Sequence, residues 1–111
     1  MKIQIKPGVV ILELNAPLFH LAYTAYDIWK RRGLIPTITS GAEGHHMAGS
    51  LHPLGLAWDL RVRDLTDPAI VAQELREMLN LKEHDFDIVY GDSQHLDHIH
   101  VEYDPKQKDP K

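Results

Sequence analysis

Hydrophobic spacing changes period several times along this chain, and each change marks an element. Lys2 to Ile5 alternates polar and apolar residues, which predicts a short strand or pairing edge. After Asn15, Leu18, Leu21, Ala22, Ala25, Ile28 and Trp29 recur at three- and four-residue steps, the signature of one helical face. The predicted helix runs from Ala16 to Arg32. Pro17 falls in its first turn, and Lys30, Arg31 and Arg32 precede Gly33, where cations complement the helix dipole. Ile35 to Ser40 is rich in β-branched residues and predicts a strand ending at Gly41. Residues 41–51, rich in Gly, Ala and His, read as a loop opening onto a site. Leu56 to Val62 predicts a strand that carries Asp59 outward and turns Trp58 the other way, into the core. Asp67-Pro68 gives an N-cap and first helical position, followed by a buried stripe of Ile70, Val71, Leu75, Met78 and Leu79 that ends near Asn80. Phe86 to Tyr90 and His98 to Tyr103 read as strands, with Gly91-Asp92 as a turn, and 104–111 as a polar, frayed tail. The order predicts a single α+β domain over 1–111, a small antiparallel sheet covered by helices.

Composition narrows the function classes. A chain of 111 residues holds one compact core and not two. A net charge of −4 disfavours a general nucleic-acid binder, which needs a basic surface. No tract approaches the ~18 apolar residues of a membrane span, and the alternating amino terminus lacks the apolar run of a signal peptide. The absence of cysteine removes disulfides and thiolate ligands, leaving imidazole and carboxylate for any metal. Zinc accepts such a set.

Two segments concentrate the chemistry: Ser50-Leu51-His52-Pro53-Leu54-Gly55-Leu56-Ala57-Trp58-Asp59 and Asp97-His98-Ile99-His100. A catalytic zinc takes three protein ligands and keeps a fourth position for water. On a strand, His98 and His100 would share a face about 7 Å apart. His52 and Asp59 match no helical pair, and H-E-x-x-H is absent, so any ligands converge from separate strands and loops. Ser50 lacks a G-x-S-x-G elbow and reads as a loop support or substrate contact rather than a nucleophile. Arg61 and Arg63 follow Asp59 as candidates to meet an acidic substrate group, or as surface strand charges.

The first segment reads S-x-H-x-x-G-x-A-x-D, filled by Ser50, His52, Gly55, Ala57 and Asp59. With the later D-x-x-H and H-x-H it resembles the LAS-type zinc metallopeptidases, over roughly Ile35 to Tyr103. That group contains D-Ala-D-Ala carboxypeptidases, phage L-alanyl-D-glutamate endolysins and lysostaphin-type endopeptidases, and short phage-type members are nearest. The resemblance implies a hedgehog/DD-peptidase-like fold, with Zn2+ held by His52, Asp59 and His100. It implies Asp97 as the general base of the phage and D-Ala-D-Ala branches, with His98 as an auxiliary group. The lysostaphin branch leaves His98 open as the principal proton handler.

Many relatives place an arginine shortly after T-S-G, whereas Ala42 and Glu43 follow Thr39-Ser40-Gly41 here. His46 or His45 is the candidate donor in its place. The implied function is hydrolysis of a peptide bond in peptidoglycan stem peptides, with a non-catalytic zinc-bound module or a virion-associated wall-degrading component as alternatives. A peptidoglycan peptide is the expected partner, without nucleic acid, and a monomer the expected state. The expected location is host cytoplasm before release to the wall if phage-encoded, and otherwise cytoplasm.

Overall fold

The computed structural model describes residues 1–43, 56–81 and 85–105. They form a small α+β domain in the order β1 (Gln4–Ile5), α1 (Ala16–Lys30), β2 (Thr37–Ser40), β3 (Ala57–Arg61), α2 (Pro68–Leu79), β4 (Phe86–Val89) and β5 (His98–Tyr103). Asn15 caps α1, its side-chain oxygen accepting the Leu18 N–H at 3.2 Å. The helix stops two residues before the predicted end. Gly33, at φ +72°, donates its N–H to Lys30 O while Leu34 donates to Trp29 O, a closure that needs a residue tolerant of the left-handed region.

The sheet order is β1-β2-β3-β5-β4. The pairs β2–β3, β3–β5 and β4–β5 are antiparallel, but β1–β2 is parallel, so the sheet is mixed rather than the expected antiparallel one. The physical reason is the connection: α1 lies between β1 and β2, and a helical crossover returns the chain in the same direction.

Strand alternation sorts the sheet into two faces. Ile38, Trp58, Leu60, Phe86, Ile88, Ile99 and Val101 join Leu18, Leu21, Ile28 and Trp29 of α1 and Val71, Leu75 and Leu79 of α2 in one core. Each fully buried aliphatic side chain contributes roughly 1.5–3 kcal/mol. Trp58 faces this core as the alternation predicts. Ile70 does not: it is 58% exposed, because it precedes Val71 by about 100° of helical rotation and falls outside the stripe. Polar residues alternate with the core set along the same strands, so Asp59, Arg61, His98, His100, Glu102 and Asp87 take the sheet's other face.

Asp67 occupies the N-cap position of α2, but its carboxylate makes no cap bond. It accepts from Arg32 Nη2 at 2.9 Å instead, and Arg32 Nη1 lies 3.0 Å from Glu74, which ties the end of α1 to α2. The guanidinium beside Asp67 holds that carboxyl below its usual range. At the other end of the chain, Asp104 still donates its N–H to Asp85 O at 2.7 Å, so backbone pairing reaches one residue into the expected tail. Among the described residues no helix is long and apolar enough to cross a membrane.

Candidate functional site

The β3–β5 register sets Asp59 opposite His100 and Arg61 opposite His98. Side chains directly opposite on one face stand close enough to interact, and Asp59 and His100 do. His100 Nδ1 lies 3.0 Å from Asp59 Oδ1, and His98 Nε2 lies 3.6 Å from Asp59 Oδ2. The outer nitrogen of each imidazole meets a further carboxylate: His100 Nε2 is 2.7 Å from Glu102 Oε1, and His98 Nδ1 is 2.6 Å from Asp97 Oδ1.

An ionised carboxylate only accepts, so each contact places the proton on the ring nitrogen: on Nδ1 of His98, and on both Nδ1 and Nε2 of His100, which is thereby held as an imidazolium. Burial opposes charge on His100, but its bonds to Asp59 and Glu102 outweigh that, and its pKa is raised. His98 holds the Asp97 carboxyl below its usual range, and the Asp97 side chain is 90% exposed at the rim.

Asp59 and His100 are ligand types that could hold a metal ion if the His100 Nδ1 proton were displaced. A ligating histidine characteristically offers one nitrogen to the ion and donates the other N–H to a carboxylate. His100 would meet that pattern with an ion in place of its Nδ1 proton beside Asp59, since Nε2 already donates to Glu102. Thus the structure brings together Asp59 and His100 of the expected ligands, and Asp97 and His98 of the expected catalytic groups. His52, Ser50, His45 and His46 lie outside the described residues.

One histidine of the cluster carries no expectation from sequence. The His95 ring centroid is 5.2 Å from that of His98 and 5.7 Å from that of His100. Its position comes from the turn after β4: Gly91, at φ +98°, donates to His95 O, while Asp92 Oδ1 accepts from Gln94 N–H and contacts His95 Nδ1 at 2.6 Å. The legible signal was Asp92 three residues ahead of His95, a turn whose carboxylate reaches its own end.

Beside these imidazoles is a cleft of about 370 Å³ whose wall includes Thr39, Ser40, Asp59, Asp97 and His98. A register shift between Ile38 and Ser40 sets Ser40 opposite Asp59, and the Thr39 hydroxyl donates to Asp59 O at 3.4 Å. After Thr39-Ser40-Gly41, Glu43 anchors the chain: it accepts from Val10 N–H, Gly41 N–H and the Ser40 hydroxyl, each at 2.9 Å. Burial pushes the Glu43 carboxyl up, but these bonds outweigh it and its pKa is lowered.

A second set of acids sits further along the same face. Among the described residues, Asp87, Glu102 and Asp104 have ligand oxygens within 4.8 Å of one another and could hold a metal ion. Their all-oxygen chemistry suits a hard cation better than zinc. In comparisons with known proteins, no family model, no curated protein and no solved structure matches this chain.

Proposed function

We propose that the chain is a zinc-dependent peptidase of hedgehog/DD-peptidase-like fold that hydrolyses a peptide bond in peptidoglycan stem peptides, as an endolysin-like endopeptidase or a D-Ala-D-Ala carboxypeptidase. One observation carries the reading: the Asp59–His100 pair across β3 and β5, with Glu102 behind His100 and the His98–Asp97 pair beside it. Asp59 and His100 would hold the ion, with His52 as the third ligand that the resemblance implies. When bound, zinc supplies Lewis acidity for amide hydrolysis.

The chain's own residues handle the proton. His98 carries its proton on Nδ1 toward Asp97, so its Nε2 lone pair faces the site, 3.6 Å from Asp59. It can take a proton from an attacking water and return it to the leaving amine, while the Asp97 carboxylate fixes the tautomer and stabilises the imidazolium. The 2.6 Å contact supports Asp97 acting through His98 rather than alone. Thr39 and Ser40 border the cleft where the peptide would lie.

The test is hydrolysis of a synthetic stem peptide by the full chain, lost with a chelator, restored by zinc and lost in His52→Ala. A chain with one bound zinc that hydrolyses neither cell walls nor stem peptides defeats the reading.

A further inference from the structure

The cleft that touches Asp59, Asp97 and His98 is also lined by three cations, Lys6, Arg61 and Arg63. They reach it from separate parts of the chain. The Lys6 N–H bonds Ile38 O, which sets the end of β1 beside β2. Arg61 stands two residues beyond Asp59 on the same strand face, about 7 Å along it. Arg63 follows in the turn after β3. None of the three side chains makes a hydrogen bond or ion pair with a described residue. The two carboxylates in the same wall are already engaged, Asp97 with His98 and Asp59 with His100.

Cations without partners, gathered in one concave surface next to two occupied carboxylates, make a site for an anion. A volume of about 370 Å³ suits a small group rather than a polymer. Arginine forks match a carboxylate in bidentate fashion.

We infer that Lys6, Arg61 and Arg63 form a carboxylate-binding subsite beside the reactive groups, which selects peptides carrying an acidic group close to the bond that is cut. This rests on the peptidase reading for its substrate class, and it deepens that reading by naming what the peptide must carry. The carboxylate has two sources, a free carboxyl terminus or an internal glutamate.

The experiment is calorimetric binding to the full chain with a chelator present, so that no turnover is needed. Three synthetic peptides are compared: L-Ala-γ-D-Glu-L-Lys-D-Ala-D-Ala, its carboxy-terminal amide, and its isoglutamine form. One of the two amidated peptides is expected to bind at least about tenfold more weakly, the effect of losing a charge-assisted pair. Which one it is identifies the source.

That dependence disappears in the Arg61→Gln/Arg63→Gln chain and survives in Arg61→Lys, which keeps the charge and shows that loss does not come from misfolding. Equal affinity for all three peptides, no binding of any, or an equal drop for all three in the double variant overturns the subsite. Carboxylate-dependent binding without hydrolysis by the zinc-loaded chain leaves the subsite standing and removes the peptidase. Hydrolysis indifferent to amidation and to Arg61→Gln does the reverse.

Discussion

Replacing Glu102 with alanine removes the carboxylate behind His100 without touching the proposed zinc ligands Asp59, His100 and His52. Glu102 Oε1 lies 2.7 Å from His100 Nε2, where it fixes the ring and raises the basicity of the nitrogen facing Asp59. Removing such a partner lowers metal affinity about 10- to 100-fold, or about 1.4–2.8 kcal/mol at ~1.4 kcal/mol per decade. The Glu102 side chain is 23% exposed, so water can replace part of the bond, and we expect the lower end, about tenfold.

The assay is zinc competition against a chromophoric chelator at fixed pH and salt, with near-ultraviolet circular dichroism to confirm the fold. Glu102 belongs to both groups of acids, so two companion variants separate them. Asp59→Asn should lose more than the ~100-fold ceiling for an outer partner, and Asp87→Asn should stay near wild type. Unchanged affinity in Glu102→Ala, or loss in Asp87→Asn with Asp59→Asn intact, would refute the assignment of zinc to Asp59 and His100.

Three further outcomes follow from the geometry. A Cβ on Gly41 would run into the Val10 carbonyl, so Gly41→Ala should destabilise by about 1–3 kcal/mol in urea titration; a change inside ~0.5 kcal/mol would mean the backbone yields freely. The Glu43 carboxyl is depressed in the folded state, so its stabilisation is complete above the ordinary value of 4.5 and fades as pH falls through the lower folded value. Glu43→Gln should therefore lose less stability than wild type on acidification through that window, and parallel curves would contradict it. His98→Ala should lower kcat about 10²- to 10⁴-fold with zinc still bound, and Asp97→Asn should lower it less; a larger loss in Asp97→Asn would make Asp97 the base itself.

The sequence made both helices and four of the strands legible because each buries one face, and burial writes a period into the chain; alternation over Lys2 to Ile5 also marked β1 as a short strand or pairing edge. The parallel β1 was not legible as such: two residues at a sheet edge, Gln4 and Ile5, carry no sign of direction, which comes from the crossover through α1. Asp67 was read as a helix cap because local chemistry favours it, whereas the Arg32 guanidinium, 35 residues away, competes better for the carboxylate. In the site, His98 and His100 were readable as a strand pair. Their facing Asp59 was a matter of register, which the H-x-H spacing alone does not contain. The three-cation wall was least legible, because Lys6 joins Arg61 and Arg63 only through the β1–β2 pairing.

Peptidase action on the wall is tested most directly by mass spectrometry of muropeptides after incubation of cell-wall sacculi with the zinc-loaded full chain. New products from cleavage of one bond in the stem peptide are expected, absent with a chelator and absent in Asp59→Asn. Sacculi left intact by a chain shown to carry one zinc, or products that persist unchanged in the chelator, would contradict the peptidase reading.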